Sequence, residues 1–411
     1  MMDSPSRLNR RMVGALRVRL PELGLEDVHD PRARRGLRWK LPTVLRTLLV
    51  GLIGHAQSFA ETEQLSAELT PAVRHKLGMP RRLPDTTARD LCCRLEPDSL
   101  RQLMVRGIRV AHGRKALSHD ALPMGVVSLD GKATVLPSCD DRYAQRQSQD
   151  DGHTLRGSVR TITACLVSSP GQPCLDAYPI PAFTNEMGAF PWALRALVRQ
   201  YKGLDLFRLV TYDAGGCSLE NAELVRDLSL HYFFGLKESQ PTLLAEAQRL
   251  LGTIEPSKCL ASTDEPHGAT GGRWIRRLYL TEEMAGFGDW QTLRVVLRVE
   301  SEQLNSRGER LSYDNRYFIS SLPQGRLSFS QWLHVVRRQH VVSNRRAAKG
   351  QEPLGFAAAA PSRAWKMAAT THWTLSFAKT TALGSQATPR EPSSCRCFGA
   401  LPITCSPCSA P

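Results

Sequence analysis

Long apolar runs are what this chain most plainly lacks. The longest, Leu41 to Ala56, is interrupted by Arg46. A membrane-spanning helix needs about 20 consecutive apolar residues, so none is expected. The first twenty residues are Arg-rich with no apolar segment, so no secretory leader is expected either. Both absences point to a cytoplasmic protein. The eleven cysteines are then expected as reduced thiols, not as a disulfide framework.

Acidic residues are short in two places. Residues 1–115 hold 22 Lys and Arg against 12 Asp and Glu, an excess of ten within a net charge of +15. High arginine usage alone would spread charge more evenly. The concentration suggests a polyanion partner, because cations set against phosphates release counterions. The second deficit lies beyond Glu352. There the last 59 residues contain no Asp, one Glu (Glu391) and four of the eleven cysteines, and follow no secondary-structure period. Cys395-Arg-Cys397 and Cys405-Ser-Pro-Cys408 offer thiolates, but a C-x-C pair without a supporting core is a poor zinc knuckle.

What is present reads as two units in 411 residues. Residues 41–115 read as helical. Ser58 and Glu61 have capping-box spacing ahead of Leu65 and Leu69. Pro80 and Pro84 break the pattern before a second amphipathic stretch from Thr86 through Leu95. Two short helices about a tight basic connection resemble a helix-turn-helix, and a plain helical bundle reads equally well.

From residue 124 the pattern becomes an alternation of strand and helix. Strands are expected at 126–129, 161–167, 174–180, 206–212 and 232–236. Helices are expected at 186–201, 219–228 and 241–251. Three β-rich runs follow at 274–280, 293–299 and 317–322. An amphipathic helix over 327–342 carries Arg337 and Arg338. Cys92 and Cys93 read as helix positions, one of them buried.

Two carboxylates stand out by position. Asp130 ends a strand in Ser-Leu-Asp-Gly-Lys, and Asp213 ends another in Val-Thr-Tyr-Asp-Ala-Gly-Gly. Either alone reads as a turn before glycine. Together, on neighbouring strands, they read as hard oxygen donors for divalent metal. Two such ions about 3.5–4 Å apart serve phosphodiester chemistry.

The ordered set of motifs is more specific. Leu-Asp-Gly-Lys at 129–132, Thr-Asn-Glu-Met at 184–187, Tyr-Asp-Ala at 212–214, Gly-Leu-Lys-Glu-Ser-Gln-Pro-Thr-Leu at 235–243 and Asn-Arg-Tyr-Phe-Ile-Ser-Ser-Leu at 315–322 resemble the landmarks of DDE-type transposases of bacterial insertion sequences. Asp-Pro-Arg at 30–32 and Ser-Phe-Ala-Glu at 58–61 resemble their associated N-terminal helical domain. The likeness covers residues 22–344. It implies an α+β or α/β chain in three parts. Residues 1–115 would be a basic helical DNA-binding domain. Residues 120–345 would be an RNase H-like catalytic domain with a β-rich insertion at about 255–315, and 346–411 an irregular tail. It further implies Mg²⁺ (or Mn²⁺), cutting and joining of DNA at the element's ends, a homodimer on DNA, and association with the bacterial nucleoid. Asp130 and Asp213 match the first two catalytic, metal-binding acids. Lys132 and Lys237 match basic positions near DNA phosphates, and Arg337 and Arg338 on the 327–342 helix are further DNA-binding candidates. Thr154-Leu-Arg-Gly-Ser158 echoes a segment that in the family directly follows Asp-Gly-Lys; here 21 residues intervene.

The third acid of such enzymes is a Glu on the helix after the Asn-Arg-Tyr-Phe strand. In that register this chain has Ser343, an uncharged and poor metal ligand. The genetic code offers an explanation. Trp365 is TGG and Lys366 is AAA or AAG, so dropping two bases of the Trp codon gives GAA, a Glu. That frame continues Asn/Asp-Gly, then four partly determined codons, of which two admit His and one Thr. A forced Leu-Asp follows, read across His372, Trp373 and Thr374. This resembles the family's sequence at and after its Glu. The tail therefore reads as out of frame, from about 364 onward or from as early as about 340, and this copy as catalytically defective. Glu186 and Glu352 are the in-frame carboxylates to test for the third place. A non-catalytic DNA-binding remnant that recognises element ends is the alternative; a nuclease of the same fold that cuts without joining is a third.

Overall fold

The computed structural model describes residues 5–344, apart from 34–36, 57, 120, 138–143, 149–154 and 268–270. Six helices come first: α1 (Pro5–Glu22), α2 (Leu41–Ile53), α3 (Phe59–Glu68), α4 (Pro71–Lys76), α5 (Asp85–Cys92) and α6 (Pro97–Gly113). Local chemistry sets their starts. The Ser58 hydroxyl accepts the Glu61 amide at 3.1 Å, and Thr70 caps α4 through the Val73 amide at 3.4 Å. Pro42, Pro71 and Pro97 stand in the first turns of their helices, where no N–H is needed. Leu41, Val44, Leu45, Leu49, Leu83, Leu91 and Leu103 close one apolar core. The expected helix-turn-helix is not tight, because α4 lies within the connection between α3 and α5. Cys92 is buried and Cys93 half-buried.

A mixed α and β unit follows. Its strands are β1 (Val126–Pro137), β2 (Ala144–Ser148), β3 (Leu155–Leu166) and β4 (Cys174–Pro179). Then come α7 (Glu186–Gln200), β5 (Leu209–Tyr212), α8 (Leu219–Asp227), β6 (His231–Leu236) and α9 (Pro241–Leu251). The described chain closes with β7 (Ala261–His267), β8 (Gly272–Thr281), β9 (Val295–Leu304), β10 (Arg310–Ser320) and α10 (Phe329–Asn344). All ten strands join one sheet in the order β2-β3-β1-β5-β6-β10-β9-β8-β7, with β4 also on β3. At its centre β1, β5 and β6 run parallel, while β3 lies antiparallel to both β1 and β4. The late β-rich runs are therefore not a separate sheet. β10 pairs antiparallel with β6 and carries β9, β8 and β7 outward.

Alternation along the strands assigns the two faces. Val127, Leu129, Val210, Tyr232 and Phe234 pack with α7, α8 and α9. Val126, Leu209, Phe233, Leu297 and Phe318 pack on the other side with Trp332, Leu333, Val335 and Val336 of α10. Trp332 is fully buried and lies 6.0 Å from the Phe233 ring, which stacks on Phe318 at 5.0 Å. Burying such side chains contributes about 1.5–3 kcal/mol each, so α10 is firmly seated.

Helix α6 serves two cores. Leu100, Leu103 and Met104 belong to the helical core, and Ile108 belongs to the sheet core. Arg101 of α6 donates to both oxygens of the buried Asp176 on β4, at 2.9 and 2.6 Å. Its guanidinium lies 4.5 Å over the Tyr178 ring. Among the described residues no helix is long and apolar enough to cross a membrane.

Candidate functional site

The site begins with strand register. Val126 pairs with Leu209, Val127 with Val210 and Ser128 with Thr211. Two residues further on, Asp130 and Asp213 stand abreast at neighbouring parallel strands, whose spacing is about 4.8 Å. Parity puts Asp130 on the face of Val126, the α10 side, while Asp213 follows directly on the last residue of β5. Asp130 is half-buried and Asp213 exposed.

Asp130 does not end its strand, contrary to the sequence expectation. β1 continues through Gly131 and Lys132 to Pro137, because β3 is equally long and pairs with it from Leu166 to Arg156. Asp-Gly is here a strand segment, not a turn, and Asp130 faces Thr163 across the ladder. The Thr163 hydroxyl donates to the Asp130 carbonyl oxygen at 3.0 Å. The segment 155–158 also belongs to this extended ladder, and β2 pairs along it. Asp213 does end its strand. Its carboxylate accepts the Gly215 amide at 3.1 Å, and Gly216 folds beneath Tyr212. A Cβ on Gly216 would lie 1.8 Å from the Tyr212 ring, which is why the second glycine of that motif is required.

A third carboxylate approaches from the face opposite to that of Asp130. Asn185 caps α7 through the Gly188 amide at 2.9 Å and places Glu186 in the first turn. The Tyr212 hydroxyl donates to Glu186 Oε1 at 3.1 Å, and the Gly131 amide donates to the same carboxylate. A Cβ on Gly131 would lie 1.6 Å from Glu186 Oε2. Only glycine admits the carboxylate so close to β1. Tyr212 in turn stacks on Phe190 of α7, with centroids 4.5 Å apart and planes 14° from parallel. Burial and then the charge of Asp213 raise the Glu186 pKa; the Tyr212 hydrogen bond opposes them, and Asp130 adds a smaller rise. Burial, followed by the Glu186 charge, likewise raises the Tyr212 phenol.

The sequence-predicted basic residues fall in two groups. Lys132 lies two residues beyond Asp130 on β1 and is half-buried, while Lys237 follows β6 directly and is exposed. Both sit near the same end of the central strands. Arg337 and Arg338 are on α10. Arg337 is ion-paired to Glu265 of β7, and the Arg338 guanidinium donates to His334 at 3.2 Å. Ser343 falls in the last turn of α10, but its side chain lies outside the described residues. So do Glu352, the tail cysteines and the out-of-frame segment.

Sequence reasoning named Glu186 but not what holds it. The Thr-Asn-Glu-Met signal was visible; its contact with Gly131 depends on how α7 crosses β1. Among the described residues no group of three His, Cys, Asp or Glu side chains is placed to hold a metal ion. Among the described residues the candidate donor set is a pair of carboxylates, Asp130 and Asp213, with Glu186 beside them bonded to the Gly131 amide and the Tyr212 hydroxyl. Mg²⁺ is commonly held by one or two carboxylates, with waters and phosphate oxygens completing its shell. Two carboxylates are the donor chemistry such an ion takes. No protein-family model matches this chain, and no curated protein matches it.

Proposed function

We propose that this chain is a DDE-type transposase of RNase H-like fold whose metal site is reduced to its first two acids. The observation that supports the reading is Asp130 on β1 and Asp213 directly after β5, each two residues beyond the last paired positions of these neighbouring parallel strands. The strand order supports the fold. An antiparallel β4-β3-β1 run continues into parallel β5 and β6, and helices cover both faces.

Asp130 and Asp213 would hold one Mg²⁺ or Mn²⁺ ion against a DNA phosphate. The bound ion would supply Lewis-acid polarisation of the phosphoryl oxygen. Lys132 and Lys237 stand near the same strand ends and would neutralise neighbouring phosphates. With Ser343 in the third place, a second ion has no carboxylate of its own, so the chain binds DNA ends and cuts them poorly or not at all. The same geometry serves the DNA-binding remnant, in which end recognition is the surviving activity.

A gel-shift assay on DNA carrying the element's ends, run beside a cleavage assay in Mg²⁺, tests this. The expected outcome is retarded DNA with no Mg²⁺-dependent nick. Vigorous cleavage that survives both Asp130→Asn and Asp213→Asn would remove the reading altogether. Cleavage abolished by either substitution would keep the family and overturn the claim of a defective site.

A further inference from the structure

Glu186 has a role that neither metal ligation nor a surface salt bridge describes. Its carboxylate touches the backbone of the residue after Asp130 and the side chain of the residue before Asp213. One contact is the Gly131 amide; the other is the Tyr212 hydroxyl at 3.1 Å. It therefore spans the two strands at the level where the aspartates emerge. It reaches them from the α7 face, opposite to the face on which Asp130 lies.

Its own anchoring is rigid. Asn185 caps the helix at this turn. Phe190, one turn on, is fully buried and stacks on the Tyr212 ring. Gly131 makes room for the carboxylate, since a Cβ there would overlap Oε2. A carboxylate that accepts from a residue of each strand fixes the spacing of β1 and β5 as a short strut does. Groups that orient metal ligands in this way typically change metal affinity about 10–100-fold when removed.

We infer that Glu186 is a positioning residue that sets the separation of Asp130 and Asp213 by bridging Gly131 and Tyr212. This rests on the reading of that pair as a divalent-ion site. The chemistry separates a strut from a ligand. In Glu186→Gln the amide oxygen still accepts the Gly131 N–H, and the amide NH₂ donates to the Tyr212 oxygen. The bridge survives while the charge is removed. In Glu186→Ala the bridge itself is gone. In Tyr212→Phe the ring keeps its stacking on Phe190 and only one arm of the bridge goes.

The experiment is a titration of the full chain with Mn²⁺, followed by the decline of its free-ion electron paramagnetic resonance signal. Amide hydrogen exchange of the 126–137 segment is measured without metal. Asp130→Asn should abolish uptake. Glu186→Ala should weaken it by about tenfold or more and speed exchange in β1. Tyr212→Phe should shift both readouts the same way by less, and Glu186→Gln should stay near wild type in both. Weakening by Glu186→Gln as great as by Glu186→Ala would show that the charge itself matters and overturn the strut. So would Glu186→Ala with unchanged uptake, or, should that variant not fold, Tyr212→Phe with both readouts unchanged. Uptake indifferent to Asp130→Asn would instead remove the metal reading itself, and the strut's purpose with it.

Discussion

Burial and the charge of Asp213 together hold the Glu186 carboxyl above its ordinary pKa, with Tyr212 pulling weakly the other way. The folded protein therefore binds this proton more tightly than the unfolded chain does. Stability linked to the group is greatest at low pH and declines as pH climbs from the unfolded carboxylate value through the raised folded value. Glu186→Gln carries no titrating group at this site. In metal-free buffer its unfolding free energy should exceed that of wild type above that window, and the gap should close on acidification. Urea unfolding at a series of pH values measures it. A constant gap, or one that opens on acidification, contradicts the assignment. At this scale the sequence was partly legible. Asp130 and Asp213 were readable because each follows a short β-branched or apolar run and precedes glycine or alanine-glycine. The need for glycine at 131 was not, because the atom that excludes a Cβ comes from a helix far along the chain.

Among the elements, helices announced themselves best. The expected helices at 186–201, 219–228 and 241–251 match α7, α8 and α9 within a residue, and the Ser58–Glu61 capping pair marks the start of α3. Strands were less readable where pairing, not composition, sets their length. β1 and β3 extend far beyond their apolar segments because each supplies the other's hydrogen bonds. β7, Ala-Ser-Thr-Asp-Glu-Pro-His, was missed altogether. It is polar, and Pro266 argues against a central strand; both features suit the sheet edge it occupies. The docking of α6 was equally invisible, since it depends on Arg101 meeting Asp176 across the two cores. Asp176 is fully buried. Removing its partner leaves an uncompensated buried charge, at a cost of about 3–5 kcal/mol. Arg101→Ala should lower the urea midpoint accordingly. The double substitution Arg101→Met with Asp176→Leu should recover much of that deficit, because an apolar pair needs no desolvation of charge. A double variant no more stable than Arg101→Ala would mean that the cost lies in disrupted packing, including that of Arg101 on Tyr178, and not in the stranded carboxylate.

Charge is distributed over the whole molecule so that its two ends should behave differently toward a polyanion. The first 115 residues carry an excess of ten positive charges, whereas residues 255–315 hold eight Lys and Arg against ten Asp and Glu. Within the helical part, Lys76, Arg89 and Arg94 are exposed on or beside α4 and α5. In the β7–β10 segment, Arg273, Arg307 and Arg310 are equally exposed, and Arg273 and Arg310 are paired with Asp264 and Glu302. Each DNA phosphate that a removed cation leaves unneutralised lowers the slope of log affinity against log salt by about 0.9. Replacing Lys76, Arg89 and Arg94 by Gln should therefore weaken DNA binding at low salt and flatten that slope by up to about three such steps. Replacing Arg273, Arg307 and Arg310 should leave the slope near that of wild type, because the local field of residues 255–315 is already balanced by acids. Fluorescence anisotropy of a labelled duplex across a salt series reads both. If the β7–β10 set flattens the slope and the helical set does not, DNA lies on the β7–β10 side, and the role given to residues 1–115 is wrong. The prediction needs no knowledge of the third acid, since counterion release depends on where cations sit and not on whether the phosphodiester is cut.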